Sequence, residues 1–345
     1  MNIYNFRWLV PLAMVAVFIA GCSGGPAGET SSVKTISDLK GKRVVVGPAG
    51  AGFEMFLKPI LEEHGVTYDD FSPLHSGQSG AVDMLSDGAA AAAFLGGAVP
   101  TGSITQACAT NNIFFVPYEE DAVKELLKKY PFFERATIPK DAYSDLIEDY
   151  QGLNVGSMHL ITNANVSEEV VYQITKTIYE NAEAVIEKHP AGRAIEKRAT
   201  RNTGIDFHPG AIRFYKKKGI WPEDASEPDA VESSNDTPEF ISIGTAPIGG
   251  AFAQVGGALA EVLNDKKGEN PWSVQAQGTK GSQENIRLLD NGKIELALSN
   301  AAISYFASKG EATWDKKYEI RAVMTLAPNI AMFITKQSKA AASSE

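Results

Sequence analysis

Two stretches with the same layout decide the fold: RVVVGPAGAGF at residues 43–53 and FISIGTAPIGGAF at residues 240–252. Each runs from a short apolar strand through a glycine-rich loop into a helical pattern. A second strand, a second glycine turn (residues 76–80 and 278–282), a helix and a further apolar run follow in both cases. Strands that alternate with helices are typical of α/β domains. The repeated layout therefore predicts two similar α/β lobes.

Other segments fit this pattern. Short apolar strands are predicted at residues 44–46, 113–116, 241–243, 296–298 and 332–334. A long helix is predicted from Ser167 to Lys188, because apolar residues recur at every fourth position and form one buried stripe. Ser167 is expected to cap this helix. Another helix is predicted after Gly250.

The predicted domain boundaries place residues 34–150 in one lobe and residues 151–220 with 239–338 in the other. Residues 221–238 combine Pro, Glu, Asp, Ser and Asn with little periodicity, which indicates a linker. Residues 339–345 are small and polar and form a tail.

The N-terminal segment predicts the compartment. The apolar run at residues 8–20 follows Arg7 and is shorter than the ~20 residues of a membrane-spanning helix, so residues 1–21 are interpreted as a signal peptide. It ends in Ile19-Ala20-Gly21-Cys22, which resembles a bacterial lipobox. That resemblance implies an acylated Cys22, a flexible tether over residues 22–33 and an extracytoplasmic protein anchored to a bacterial membrane. The alternative is an ordinary signal peptide with an incidental cysteine.

Composition excludes some classes of function. The 32 basic residues are outnumbered by 42 acidic ones, which gives a net charge of −10 and argues against nucleic-acid binding. The only other cysteine, Cys108, has no partner once Cys22 is lipidated and is expected to be a buried packing residue. No histidine pair has metal-ligand spacing and no nucleophile motif is present, so neither an enzyme nor a cofactor is predicted.

The glycine loops are the candidate binding elements. Glycine allows the backbone to approach a ligand closely, and a loop that opens a helix directs the free amides of the helix N-terminus at that ligand. Such loops lie at the carboxyl ends of strands, where open α/β sheets bind ligands. Two facing loops would form a cleft that accepts an anion such as a carboxylate. Neither loop has the spacing of a nucleotide-binding motif, and the alternative is that the glycines only make tight turns.

The candidate ligand-binding residues lie in these loops and at the helix starts beside them. They are Gly50, Ala51, Gly52, Phe53, Thr245, Ile248, Gly249, Gly250, Phe252, Thr279, Lys280, Ser282, Asn285 and Asn300. Lys280 could pair with a second ligand carboxylate or could simply be solvated. Phe53 and Phe252 could line the pocket or could pack a helix against its sheet.

Several motifs together resemble the TAXI family of solute receptors for TRAP transporters. They include residues 37–44, 208–211, 243–250 and Gly281-Ser282-Gln283-Glu284-Asn285. The resemblance implies a type II periplasmic-binding-protein fold with a ligand cleft between two lobes. It also implies a small carboxylate ligand such as glutamate, glutamine or 2-oxoglutarate, membrane TRAP subunits as partners, and a monomer. The alternatives are a receptor for an ABC importer and, more distantly, an enzyme on the same fold.

The order of these motifs differs from the family's. The segment resembling residues 240–337 comes first in the family and the one resembling residues 34–220 follows, so the chain resembles a circular permutation behind a lipoprotein leader. Residues 221–238 would join the original ends. The new ends are expected to interrupt one of two crossings between the lobes. Ala51 stands where the family commonly has Ser, which removes one ligand hydroxyl.

Overall fold

The structure is a computed structural model that describes residues 33–225, 228, 238–247 and 251–337. Its strands are β1 (Arg43–Val45), β2 (Ser72–Leu74), β3 (Ala92–Gly97), β4 (Ile113–Phe115), β5 (Phe133–Ile138), β6 (Tyr150–Val155), β7 (Met158–Asn163), β8 (Phe240–Gly244), β9 (Ser273–Gln277), β10 (Leu296–Asn300), β11 (Ile320–Thr325) and β12 (Ile330–Lys336).

The α-helices lie between the strands and cover the faces of the sheets. They are α1 (Glu54–Glu63), α2 (Gln78–Ser86), α3 (Gly102–Thr110), α4 (Glu120–Lys129), α5 (Glu168–Glu180), α6 (Ala182–Lys188), α7 (Ile195–Arg198), α8 (Pro209–Lys218), α9 (Ala251–Asp265), α10 (Ser282–Asp290) and α11 (Ala301–Lys309).

The strands form two sheets with a shared topology. The first has seven strands in the order β2-β1-β3-β12-β6-β5, with β4 also beside β12, and the second has the order β11-β7-β10-β8-β9. In each sheet three parallel strands lie in the order second, first, third, and an antiparallel strand follows the third: β2-β1-β3-β12 and β9-β8-β10-β7. The predicted fold of two similar α/β lobes is therefore confirmed.

The chain crosses between the sheets at two places, which we call the crossings. One is residues 156–157, between β6 and β7, and the other is residues 326–329, between β11 and β12. The first lobe thus contains residues 33–155 and 330–337, and the second lobe lies between the crossings. The sequence-based boundaries differ from this strand pairing for β6 and β12, which were placed in the other lobe.

The predicted interruption of a crossing by the chain ends is wrong. β12 and β1 belong to the same sheet, so the described ends at Val33 and Gln337 both lie in the first lobe, and both crossings are continuous. The physical reason is that the apolar strand β12 pairs over five positions with β3, from Ile330 opposite Gly97 to Ile334 opposite Ala93.

The predicted local elements are mostly confirmed, with one break. The predicted helix over residues 167–188 is two helices, α5 and α6, separated by Asn181. The Asn181 side chain donates to the Thr177 carbonyl oxygen at 2.8 Å, because asparagine competes for backbone groups and so favours helix ends. Ser167 occupies the predicted N-cap position without a side-chain capping bond. Cys108 is a buried free thiol. The predicted leader, Cys22, most of the linker and the tail lie outside the described residues.

A smaller cluster of buried apolar side chains lies within the first lobe, and a larger one continues from lobe to lobe. The larger cluster includes Phe56 and Phe333 in the first lobe and Leu298 and Phe306 in the second. His159 is one of the fully buried polar side chains of the second lobe: its Nε2 lies 2.8 Å from Ser304 Oγ and its Nδ1 lies 3.3 Å from Thr203 Oγ1. Burial lowers the pKa of His159 to about 3 and, with smaller opposing effects, that of His208 to about 4.

This burial predicts acid sensitivity. Below pH ~6.5 the imidazole of His159 takes up a proton in the unfolded chain but stays neutral in the folded one, so stability is full above pH ~6.5 and falls as the pH drops toward 3. Each such proton costs about 1.4 kcal/mol per pH unit. Urea unfolding between pH 6.5 and 5 gives the slope of the unfolding free energy against pH, and this slope corresponds to the number of protons taken up on unfolding. We expect that number to be smaller by about one in His159→Gln, because glutamine does not titrate. Equal slopes in the two proteins would contradict this assignment.

Candidate functional site

The glycine loops of the two lobes meet where the parallel strands end. The loop after β1 lies against the first turns of α10 and α11: a Cβ atom built on Gly52 would lie 2.9 Å from Ile303 Cδ1 and 3.3 Å from Gln283 Cγ. α1, which follows this loop, also packs against α11. The carboxyl ends of strands in both sheets therefore face one another, as the loop hypothesis requires. Gln283 and Ile303 are not among the predicted site residues, although both stand within the first turn of a helix that follows a candidate loop.

The polar residues of the second lobe hold its loops together. Thr245 Oγ1 donates to the Gln277 carbonyl oxygen at 2.9 Å, and Thr279 Oγ1 donates to the Thr245 carbonyl oxygen at 3.0 Å. Asn285 is fully buried, and its Nδ2 donates to the Thr245 and Leu298 carbonyl oxygens at 2.7 and 2.8 Å. These three side chains thus shape the loops, and most of their bonding capacity is used inside the lobe. Asn285 Oδ1 has no hydrogen-bond partner among the described residues.

The N-terminus of α10 is the clearest place for an anion. Gly281, with φ at 114°, leads into the helix, and the amides of its first three residues, Ser282, Gln283 and Glu284, have no acceptor within the helix. These amides and the helix dipole favour a negative charge. Lys280 lies just before them with an exposed side chain, and its backbone amide donates to Glu284 Oε2 at 2.5 Å.

The N-terminus of α11 is arranged differently from the prediction. Asn300 Oδ1 accepts from the Ala302 amide at 2.9 Å and its Nδ2 donates to the Gly156 carbonyl oxygen at 2.9 Å. The Ala301 amide donates to the Ser157 carbonyl oxygen at 2.9 Å. Both ends of the Asn300 side chain are therefore engaged, one in capping the helix and one in holding the crossing at residues 156–157. Asn300 thus contacts the crossing at residues 156–157 directly.

Of the candidates in the first lobe, Phe53 packs inside its lobe and Gly50 and Ala51 lie in the outer part of the loop. The Phe53 ring lies over Gly47, where an added Cβ would come within 2.5 Å of it, and is 5.2 Å from the Phe56 ring. Phe53 thus packs within its own lobe. Gly50 borders open space, and Ala51 follows it on the surface of the same loop.

The remaining candidates belong to the loop after β8. Phe252 is half-buried against the core cluster. Ile248, Gly249 and Gly250 lie outside the described residues, so their predicted role stays a prediction.

Within the described part of the chain, no group of three or more His, Cys, Asp or Glu residues could hold a metal ion. No helix in the same ranges is long and apolar enough to cross a membrane.

Comparison with known families agrees with this architecture. A model of the NMT1-like family matches residues 4–219 and 243–344, which is most of the chain. The chain belongs to the NMT1-like family. This is a family of periplasmic solute-binding proteins, so the NMT1-like protein described here is a solute-binding protein of the periplasmic-binding-protein fold. Proteins of this kind work outside the cytoplasm.

Solved structures give only distant likenesses. A phosphate-binding protein of a phosphate ABC transporter from Streptococcus pneumoniae TIGR4 is 12% identical over 86% of this chain and 89% of its own, with a TM-score of 0.33. An ancestral arginine-binding protein bound to arginine is 10% identical over 88% of this chain and 87% of its own, with a TM-score of 0.35. The second substrate-binding domain of GlnP from Lactococcus lactis is 11% identical over 89% of this chain and 84% of its own, with a TM-score of 0.33. Likenesses at this level carry no argument about the ligand.

The contact at Gly52 gives a prediction with an internal control. Gly50 and Gly52 have φ of 71° and 85°, so alanine at either position should cost about 1–2 kcal/mol of backbone strain. Only Gly52→Ala also places a Cβ against Ile303 Cδ1, so it should lose about 1 kcal/mol or more beyond Gly50→Ala in denaturant unfolding. Ile303→Val removes that Cδ1 atom and should abolish the excess. An excess that persists in the valine background would show that Ile303 is not its cause.

The two hydrogen bonds of the Asn300 side chain give a second prediction. Asn300→Asp keeps the oxygen that caps α11 but replaces the donor to Gly156 with a second oxygen, so we expect a loss of about 1–3 kcal/mol in the free energy of unfolding. Asn291→Asp is the matched control, because it makes the same chemical change at an exposed helix end and should stay within about 0.5 kcal/mol. Equal small effects would mean that the bond to Gly156 does not hold the crossing.

Proposed function

We propose that this NMT1-like protein captures a small carboxylate between its two lobes by hinge closure and delivers it to a TRAP-type membrane transporter. The observation that carries the proposal is the contact of the Gly52 loop with the first turns of α10 and α11. That contact brings the strand ends of one lobe against the helix N-termini of the other. A solute held between them would be in contact with both lobes.

The choice of an anion rests on the N-terminus of α10. Three amides there have no acceptor within the helix, and Gly281 keeps their approach free of a side chain. A carboxylate offers the oxygen acceptors that such amides bind. An exposed Lys280 side chain beside them suits a second negative group. Glutamate, glutamine and 2-oxoglutarate are the solutes we propose, and the resemblance to the TAXI receptors supports them.

Closure is proposed to occur at the crossings. Each is a short segment between two strands, and bending such segments can move the lobes as rigid bodies. A solute that bridges the lobes binds the closed arrangement better than an open one and so shifts the population toward it. The closed form is then the one that the transporter recognises.

The proposed anchor and the proposed permutation are compatible with this geometry. The described chain enters the first lobe through a 3-10 turn at Ile36–Leu39, just before β1, and leaves at the end of β12. Both positions lie at the end of the first sheet where β1 begins, which is opposite the loop after β1. Thr335 Oγ1 donates to the carbonyl oxygen of Ala91, and the Ala91 amide donates to the carbonyl oxygen of Arg43, the first residue of β1. A lipidated Cys22 would therefore tether the protein away from the loop at residues 47–53 and the turn at residues 278–282, which we call the solute loops.

The test is thermal unfolding of the protein against amino acids, dicarboxylates, 2-oxo acids, sulfonates and sugars. A solute at ~100 times its dissociation constant should stabilise the folded protein by ~2.7 kcal/mol, which raises the melting temperature by several degrees. We expect a shift with glutamate, glutamine or 2-oxoglutarate and none with neutral sugars. A shift confined to sugars or sulfonates would overturn the carboxylate assignment and leave the receptor function standing.

A further inference from the structure

An ion-pair cluster joins the two lobes beside the crossings. Glu134 lies on β5 of the first lobe and accepts two hydrogen bonds from Arg198 of the second lobe. Arg198 Nη2 donates to Oε2 at 2.5 Å, and Nη1 donates to Oε1 at 3.3 Å. Arg201 Nη1 lies 3.4 Å from Glu134 Oε1. The three side chains are only 20–31% exposed. We call Glu134, Arg198 and Arg201 the brace.

The brace is bonded to the crossing itself. Arg198 Nη2 donates to Ser157 Oγ at 3.2 Å, and Asn154 Nδ2 donates to Ser157 Oγ at 2.9 Å and to Glu134 Oε2 at 3.2 Å. Asn154 Oδ1 accepts from the Asn329 amide of the other crossing at 3.0 Å. One network of hydrogen bonds therefore contacts both lobes and both crossings.

The brace and the solute loops stand on opposite sides of the crossings. In the first sheet, β5 lies beyond β12 and β6 as seen from β1 and β3. In the second lobe, Arg198 and Arg201 lie beside β11, the edge strand of the second sheet. On β11, the Thr325 amide donates to the Ala199 carbonyl oxygen, and Thr325 Oγ1 donates to the Arg201 carbonyl oxygen. Phe132, near the brace, packs its ring 5.2 Å from that of Tyr305 on α11. A rotation of one lobe about the crossings thus acts on the brace and on the loops together.

The surroundings of Glu134 favour its charged form. Burial opposes the charge on Glu134, but the hydrogen bonds and charges of Arg198 and Arg201 outweigh it and keep the pKa of the carboxyl below its ordinary value. Breaking a partly buried pair of this kind leaves charges without partners, which costs more than the loss of an exposed pair.

We propose that the brace sets the balance between open and closed lobes, and thereby the apparent affinity for the solute, without touching the solute. This inference rests on the proposed hinge closure. Apparent affinity scales with the fraction of molecules in the binding-competent arrangement, so residues far from the ligand can change it. Glu134 and Arg198 are positioning residues in this sense.

The test measures the lobe arrangement without ligand. Spin labels are placed on the first lobe at Lys128→Cys and on the second at Lys293→Cys, and Cys22→Ser leaves only the buried Cys108, whose thiol pKa is raised to about 11 by burial. Pulsed electron paramagnetic resonance then gives the distribution of distances between the lobes. We expect Glu134→Gln to reduce the fraction at the parental distance by at least about threefold.

The matched control is Glu120→Gln. Glu120 forms a similar two-bond pair with Arg135, at 2.6 and 2.8 Å, next to Glu134 on β5, but both partners lie in the first lobe. It should leave the distribution unchanged. Arg198→Gln should act like Glu134→Gln, and the double variant should shift the distribution no further, because the pair is already broken. The double variant also keeps the test valid if Glu134→Gln alone fails to fold, since it leaves no buried charge from the Glu134–Arg198 pair.

Two results would overturn the proposal. One is a distribution for Glu134→Gln and for the double variant that equals the parental one. The other is an equal change in Glu134→Gln and Glu120→Gln, which would indicate a general loss of stability. Since no ligand is present, neither result depends on whether the solute panel identifies a carboxylate.

Discussion

The pairing of the two crossings is the constraint on which the rest of the structure depends. The Val155 and Met158 amides donate to the Asn329 and Ala327 carbonyl oxygens at 2.9 Å, and the Leu326 amide donates back to Met158 at 2.8 Å. The two segments thus continue the sheet ladder from one lobe into the other. Two hydrogen-bonded segments of this kind resist separation of the lobes but can permit bending, because bending needs only small changes in a few backbone angles.

Close packing at Gly156 holds the crossing at residues 156–157 against the start of α11. Gly156 has φ at 114°, and a Cβ there would lie 2.5 Å from Asn300 Oδ1 and 2.8 Å from the Ala302 amide. Only glycine allows the crossing to approach the start of α11 so closely. α11 in turn packs against α1 and the Gly52 loop of the other lobe. The crossing, the start of α11 and the Gly52 loop are therefore connected by direct contacts.

The sequence predicted what depends on local pattern. Apolar strands, glycine loops and the matching order of elements in residues 43–97 and 240–300 follow from periodicity and turn residues, and the structure has them. It did not predict that β6 and β12 join the first sheet, because that choice is made by long-range pairing with β3 and β5. Residue type showed that Thr245, Asn285 and Asn300 are polar, but not that they bond inward. The brace joins residues 64 positions apart and leaves no local signal.

The shared topology of the lobes explains why the loops that follow the parallel strands face each other. In both sheets the strand antiparallel to the third parallel strand, β12 or β7, begins at a crossing. The third parallel strand, β3 or β10, therefore ends at that crossing, and the two strands parallel to it end on the same side of the sheet. Every loop that follows a parallel strand is consequently directed toward the opposite lobe. The facing loops are thus a result of strand direction at the crossings, and they would persist in any chain order that leaves both crossings continuous.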